Sequence, residues 1–215
     1  MRSSSPSNRA KTAVESFSNA SECIGRCEKN MSLFAITRGQ WSMIDAVLHV
    51  LNEVGPSKIS LWTWTVAEYE VQVLTRLQLD KRVTDGQLVI DSGARTKNAE
   101  IIADWKRTFG PRSVSYVINH SKIATVASAD GLKFLLRGSM NLNFNPRFEQ
   151  FDISEGGPAF DLVQEIEQSL PHLEDNCTGK ESYEASKLSS AFTTEQLSLF
   201  ANPKTWKPNR NRAAK

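Results

Sequence analysis

The stretch INHSKIATVASADGLKFLLRGSMN, residues 118–141, decides the class of fold and the kind of site. Residues 122–128 and 132–137 have the composition of two β-strands, and the Asp-Gly step between them is typical of a hairpin turn. His120 ends the preceding predicted strand. Side chains two residues apart along a strand share a face, so His120 and Lys122 are expected to project into one site.

The residue types in this stretch suit the transfer of a phosphoryl group. An imidazole such as that of His120 can attack phosphorus directly or act as a general acid or base. The ammonium of Lys122 can stabilise charge on the phosphoryl oxygens of the transition state. Ser139 and Asn141 follow one hairpin later and can donate neutral hydrogen bonds to the same oxygens.

Strands and helices alternate upstream of this stretch. The predicted strands are 32–37, 59–66, 87–90 and 113–118, and the predicted helices are 41–54, 68–81 and 97–109. A last strand and a last helix follow at 148–153 and 158–170. The alternation predicts an α/β fold with a mixed, largely parallel sheet flanked by helices, whose parallel neighbours are joined by right-handed crossovers.

The His120-x-Lys122 pair followed by Gly-Ser-x-Asn141 resembles the signature of the phospholipase D superfamily, in its nuclease-like branch. The resemblance covers residues 32–170, because the preceding strands and helices have the order of that fold. It implies that His120 is a nucleophile that forms a phosphohistidine, and that Glu149 orients it. It also implies that Lys122, Ser139 and Asn141 bind phosphate, with no metal and no cofactor required.

The sequence departs from the family pattern in two places. The family has an aspartate five residues after the lysine, where this chain has Ala127, and the nearest acid is Asp130 in the hairpin turn. The spacing from Lys122 to Gly138 is also longer than usual. The missing aspartate favours a second interpretation, a non-catalytic DNA-binding adaptor or modulator of the replication sliding clamp that a phage could encode, whereas the intact His, Lys, Asn and Glu favour an enzyme. A lipid-acting phosphodiesterase is a third, weaker interpretation.

The number of motifs predicts an oligomer. The family's site uses two motifs that face each other, and this chain holds one. We therefore expect a two-fold homodimer in which His120 of each subunit meets across the axis. One histidine would attack phosphorus while the other protonates the leaving oxygen.

A second motif lies near the C-terminus. It consists of Gln196, Leu197, Ser198, Leu199 and Phe200. It resembles the pentapeptide by which bacterial replication and repair proteins bind the DNA polymerase sliding clamp (the beta clamp). In an extended peptide, Leu199 and Phe200 would fill an apolar pocket while Gln196 hydrogen-bonds at its rim. The alternative is a short helix, 193–200, that packs on the domain. Clamp binding points to DNA as the substrate and to a bacterial or bacteriophage origin.

Composition and the chain ends set the remaining expectations. The 215 residues include 26 basic and 24 acidic ones, so the net charge of +2 permits a nucleic-acid partner without demanding one. No apolar run has the length of a membrane span, and the Ser-rich start lacks a signal-peptide core, which predicts a cytoplasmic protein without a membrane partner. Residues 1–31 are predicted to be a flexible leader with one short helix, and residues 171–215 a disordered tail.

Overall fold

A computed structural model describes residues 10–16, 19–143 and 146–170 of the chain. The strands are β1 (Ala10–Ser16), β2 (Met31–Thr37), β3 (Ser57–Thr63), β4 (Val83–Asp91), β5 (Val114–Val117), β6 (Ile123–Ser128), β7 (Lys133–Gly138) and β8 (Glu149–Glu155). The helices are α1 (Ala20–Ile24), α2 (Met43–Val54), α3 (Glu68–Leu79), α4 (Ala94–Lys97), α5 (Ala99–Phe109) and α6 (Pro158–Ser169). The predicted tail and its pentapeptide lie outside the described residues.

The described strands form one mixed sheet in the order β1-β2-β8-β7-β6-β3-β4-β5. The pairs β1–β2, β3–β4 and β4–β5 are parallel, and the other four pairs are antiparallel. Six of the eight described strands therefore run in the same direction. The other two, β6 and β8, run in the opposite direction. The predicted α/β class, with a mixed and largely parallel sheet flanked by helices, is therefore confirmed.

Local turn and capping chemistry sets the element boundaries. The predicted hairpin joins β6 to β7, and Gly131 adopts the positive φ of 90° that its tight turn requires. Helix α2 begins two residues later than predicted because Ser42 is its N-cap, with its backbone N–H donating to Asp45 Oδ2 at 2.8 Å. Trp41 instead precedes the helix and packs edge-on against Phe151, with ring centroids 4.9 Å apart.

Two apolar clusters cover the two faces of the sheet. Alternation along β4 shows the division: Leu88 and Ile90 join the larger cluster, and Val89 between them joins the smaller one. Helices α1, α2, α3 and α5 pack on the larger cluster, whereas α6 packs on the smaller one through Phe160 and Val163. The sheet is thus held between helices on both faces. Within the described part of the chain, no helix is long and apolar enough to cross a membrane.

The start of the domain differs from the prediction of a flexible leader over residues 1–31. Strand β1 lies inside that range and pairs in parallel with β2 along its whole length. Helix α1, the one short helix predicted there, buries Ala20 and Ile24 in the larger cluster. The sequence of β1, AKTAVES, has too few large apolar residues to show a strand pattern. Its backbone groups gain partners on the edge of β2, which only the assembled sheet provides.

Candidate active site

One edge of the sheet gathers the predicted site residues. The strands that share a direction end at this edge, and the two opposed strands, β6 and β8, begin there. His120 and Lys122 lie in the loop between β5 and β6. Ser139 and Asn141 follow β7, and Glu149 is the first residue of β8. Ligands of open α/β sheets bind beyond the carboxyl ends of the strands, so the location suits a binding site.

The side chains of His120 and Lys122 contact each other, as predicted. The prediction placed both residues on one face of a strand, whereas in the structure both lie in a loop. Lys122 Nζ lies 3.1 Å from His120 Nδ1 and 3.2 Å from Nε2, and it donates to the His120 carbonyl oxygen at 2.8 Å. An ammonium can only donate, so a ring nitrogen would accept through its lone pair, and the tautomer of His120 decides which of the two nitrogens that is. That lone pair is what a nucleophilic imidazole needs. His120 is exposed, which leaves the ring accessible to a substrate.

Asn119 holds this loop in place, and the sequence analysis missed it. Its side-chain Nδ2 donates to the carbonyl oxygens of Thr63 at 3.0 Å and Val89 at 3.2 Å. Its backbone N–H donates to Asp91 Oδ2 at 3.0 Å, and its Oδ1 accepts from the Ser121 N–H at 2.8 Å. These bonds tie the loop to β3 and β4. An amide residue directly between an apolar strand and a candidate histidine is the signal that could have found it.

Glu149 is tied to Ser139. The Ser139 hydroxyl donates to Glu149 Oε2 and accepts from the Gln150 N–H at 2.9 Å. Within the described ranges Ser139 is the hydrogen-bond partner of the Glu149 carboxylate, so the predicted role of Glu149 in orienting His120 stays a prediction. The negative charge of Glu149 instead interacts electrostatically with Lys122. Burial lowers the pKa of Lys122, and the Glu149 carboxylate opposes this shift by favouring the ammonium.

Asn141 lies where the turn after β7 meets the start of α2. Its carbonyl oxygen accepts from the Met43 N–H at 3.2 Å, and the next carbonyl, of Leu142, accepts from the Ile44 N–H at 3.3 Å. The Asn141 Oδ1 atom is buried and has no hydrogen-bond partner among the described residues. An unpaired buried polar atom costs roughly 1–3 kcal/mol, and an amide oxygen, being an acceptor, can be paired by a hydrogen-bond donor but not by a phosphate oxygen.

The hairpin acid Asp130 does not replace the aspartate that is missing from the family pattern. Ala127 is partly buried against the smaller apolar cluster. Asp130 lies in the turn after β6, at the end opposite to Lys122. Because β6 has six residues, the two ends lie about 20 Å apart. Asp130 is therefore not part of the site.

Gly138 has a steric role that we can test. A Cβ at this position would lie 2.3 Å from the Gln150 carbonyl oxygen and 3.3 Å from Phe151 Cα, both backbone atoms of β8. We expect Gly138→Ala to force β7 and β8 apart and to lower the free energy of unfolding by roughly 1–3 kcal/mol, measured by urea denaturation. Gly93→Ala is the control, since its Cβ would meet only the Asp91 side chain, at 3.0 Å. Equal losses in the two variants would contradict the prediction.

The geometry is that of an α/β domain with a histidine–lysine pair at the carboxyl edge of a mixed sheet. Across the described ranges, no group of three or more His, Cys, Asp or Glu side chains could hold a metal ion. No family model matches the sequence, and no curated protein matches it.

Two solved structures are similar to the chain. The crystal structure of a phospholipase D family member, Nuc from Salmonella typhimurium, has a TM-score of 0.41 and 17% identity, covering 57% of this chain and 84% of that one. A mutant of yeast tyrosyl-DNA phosphodiesterase has a TM-score of 0.36 and 14% identity, covering 64% of this chain and 36% of that one. The chain thus spans about a third of the yeast protein. The first of the two is described as a member of the phospholipase D family, the family that the sequence motif resembles.

Proposed function

We propose that the chain is a metal-independent phosphodiesterase of phospholipase D type that cleaves DNA. The observation that carries the proposal is the contact between Lys122 Nζ and both ring nitrogens of His120, at 3.1 and 3.2 Å, in an exposed loop at the carboxyl edge of the sheet. The contact supports the proposal because an imidazole, which can act as a nucleophile, and a cation lie side by side in an accessible loop.

The reaction has two displacements at phosphorus. A ring nitrogen of His120 attacks, an N–P bond forms, and the P–O bond to the leaving group breaks as the leaving oxygen takes a proton. Water then attacks the phosphohistidine, the N–P bond breaks, and the water's proton passes to a base while the imidazole is regenerated. Lys122 turns from the ring to a phosphoryl oxygen and stabilises its charge. Asn141 is the neutral donor at the adjacent turn, and Ser139 holds the Glu149 carboxylate near Lys122.

The proposed active form is a two-fold homodimer, in which the partner subunit's His120 protonates the leaving oxygen. The single motif in the chain supports this form. So does Ile118, an apolar side chain two residues before His120 that is 56% exposed at the place where two copies would meet.

Cleavage in the absence of divalent metal tests the proposal. Purified protein is incubated with plasmid and with single-stranded DNA in excess EDTA, and products are resolved on a gel. Metal-independent cutting is the expected result. If DNA is shifted in a native gel but never cut, the function is that of the second candidate, a non-catalytic DNA-binding adaptor. Ala127, which stands where the family pattern has an aspartate, favours that candidate.

The proposed recruitment to DNA is through the sliding clamp. The pentapeptide Gln196–Phe200 lies outside the described residues, and the support for it is its sequence. Tethering to a clamp on DNA raises the local concentration of a weakly binding domain without new DNA contacts. A phage-encoded protein acting on a host clamp would fit the same chemistry.

Clamp binding is expected to depend on two side chains of the pentapeptide. The double substitution Leu199→Ala with Phe200→Ala should weaken binding to a purified bacterial beta clamp about 100-fold or more, because each removes an anchor worth roughly 2 kcal/mol. Isothermal titration calorimetry measures the change. The matched control is Leu188→Ala with Phe192→Ala, which deletes the same two side-chain types outside the pentapeptide. Equal weakening by both pairs, or by neither, would refute recruitment through this motif.

A further inference from the structure

Trp64 is a large aromatic residue that lies outside both apolar clusters. It follows the last residue of β3 and is 49% exposed, whereas Trp41, Trp62 and Trp105 are all buried. Leaving an indole in water forfeits about 25 cal/mol for each Å² that burial would have removed. Tryptophan is enriched where proteins contact other molecules, so an exposed tryptophan beside the loop of His120 is a suitable contact surface.

The surroundings of Trp64 combine an aromatic face with charged groups. Its ring centroid lies 6.2 Å from that of His120, with the ring planes inclined by 50°. Trp64 also lines a cavity of about 160 Å³ together with the start of α4, and Asp91 and Lys97 border this cavity. Asp91 is already engaged by two backbone N–H groups, those of Gly93 and Asn119. The lysine is exposed at the cavity rim.

We infer that Trp64 is a stacking platform for an unpaired nucleobase next to the scissile phosphate, and that the site therefore prefers single-stranded DNA. The inference rests on the proposed DNA phosphodiesterase function and specifies the form of DNA that the site accepts. A planar base matches the indole face, and the Lys97 ammonium suits the phosphate of the same strand. Within a duplex both faces of a base are covered by its neighbours, so only an unstacked base can lie on Trp64.

The test compares binding of a short single-stranded oligonucleotide with binding of the matching duplex. Fluorescence anisotropy is measured in a His120→Asn background, where no cleavage through His120 occurs and a polar side chain remains. Trp64→Ala should weaken single-strand binding roughly 10-fold, since stacking contributes about 1–3 kcal/mol per base. Trp64→Phe should keep most of the affinity. The control Phe34→Ala removes another exposed aromatic side chain, in the middle of β2, and should change nothing.

An abasic site moved along the oligonucleotide isolates the stacked base. One abasic position should weaken binding by the Trp64 protein roughly 10-fold and leave binding by Trp64→Ala unchanged. If DNA binds but Trp64→Ala and all abasic positions are without effect, or if duplex binds as tightly as single strand, the inference is wrong and the proposed function stands. Loss of the dimer in sedimentation of Trp64→Ala would show a subunit contact instead. If no form of DNA binds, both the proposed function and the inference fail.

Discussion

Replacing His120 by alanine is expected to reduce DNA cleavage by about 10⁴-fold or more while leaving the fold intact. The loss is large because the substitution removes the nucleophile itself, and the remaining groups can only bind and polarise the phosphate. The fold should be unaffected because the His120 side chain is exposed. Thermal unfolding of the variant should match the wild type to within about 0.5 kcal/mol, the usual range for exposed positions.

Two controls distinguish loss of the nucleophile from misfolding or inactivation of the variant. His49 lies on α2, with Nε2 2.6 Å from the Gly25 carbonyl oxygen, and His49→Gln keeps a donor at that place. This variant should cut DNA at the wild-type rate. A covalent phosphohistidine should also be trapped by alkaline quenching of the wild type and be absent from His120→Ala. Cutting by His120→Ala at the wild-type rate would exclude His120 as the nucleophile.

Replacing Lys122 by glutamine is expected to lower kcat/KM by about 10²–10³-fold, the usual effect of losing one group that stabilises transition-state charge. Lys122→Arg keeps the charge, but a planar guanidinium cannot contact the imidazole ring and the His120 carbonyl oxygen in the same way as Nζ. The activity of Lys122→Arg should fall between that of the wild type and that of Lys122→Gln. Steady-state cleavage of a fluorescent oligonucleotide gives these values, and full activity of Lys122→Gln would contradict the role of Lys122.

The pH profile adds an independent test of Lys122. Burial lowers the pKa of Lys122 from the ordinary value of 10.5, so the ammonium, which is the active form, is lost at a lower pH than for an exposed lysine. The wild-type rate should therefore be present below that pKa and fall as pH rises through it. Glu149 favours the ammonium, so Glu149→Gln should move this alkaline limb to lower pH. A limb that stays in place, or moves to higher pH, would show that Glu149 does not act on Lys122.

Much of the fold was predictable because its signals are local. The helical spacing of apolar residues in α2 and the Asp-Gly step between β6 and β7 act over a few residues, and the structure has both elements where they were predicted. The candidate residues of the site were also named from their types and order. The error at β1 has the opposite cause, since a strand with few apolar residues forms only where a neighbouring strand offers backbone partners.

The sequence by itself determined the class of fold and which residues carry reactive groups, because periodicity, turn chemistry and side-chain chemistry need no distant partner. Only the tertiary structure decided how those groups meet. The loop that brings Lys122 onto His120 is held by Asn119, through β3 and β4. The influence of Glu149 on Lys122 and the place of Trp64 beside His120 depend on sheet register. That register involves pairing between strands that are distant in the chain, such as β3 with β6 and β2 with β8, and these pairs form only in the assembled sheet.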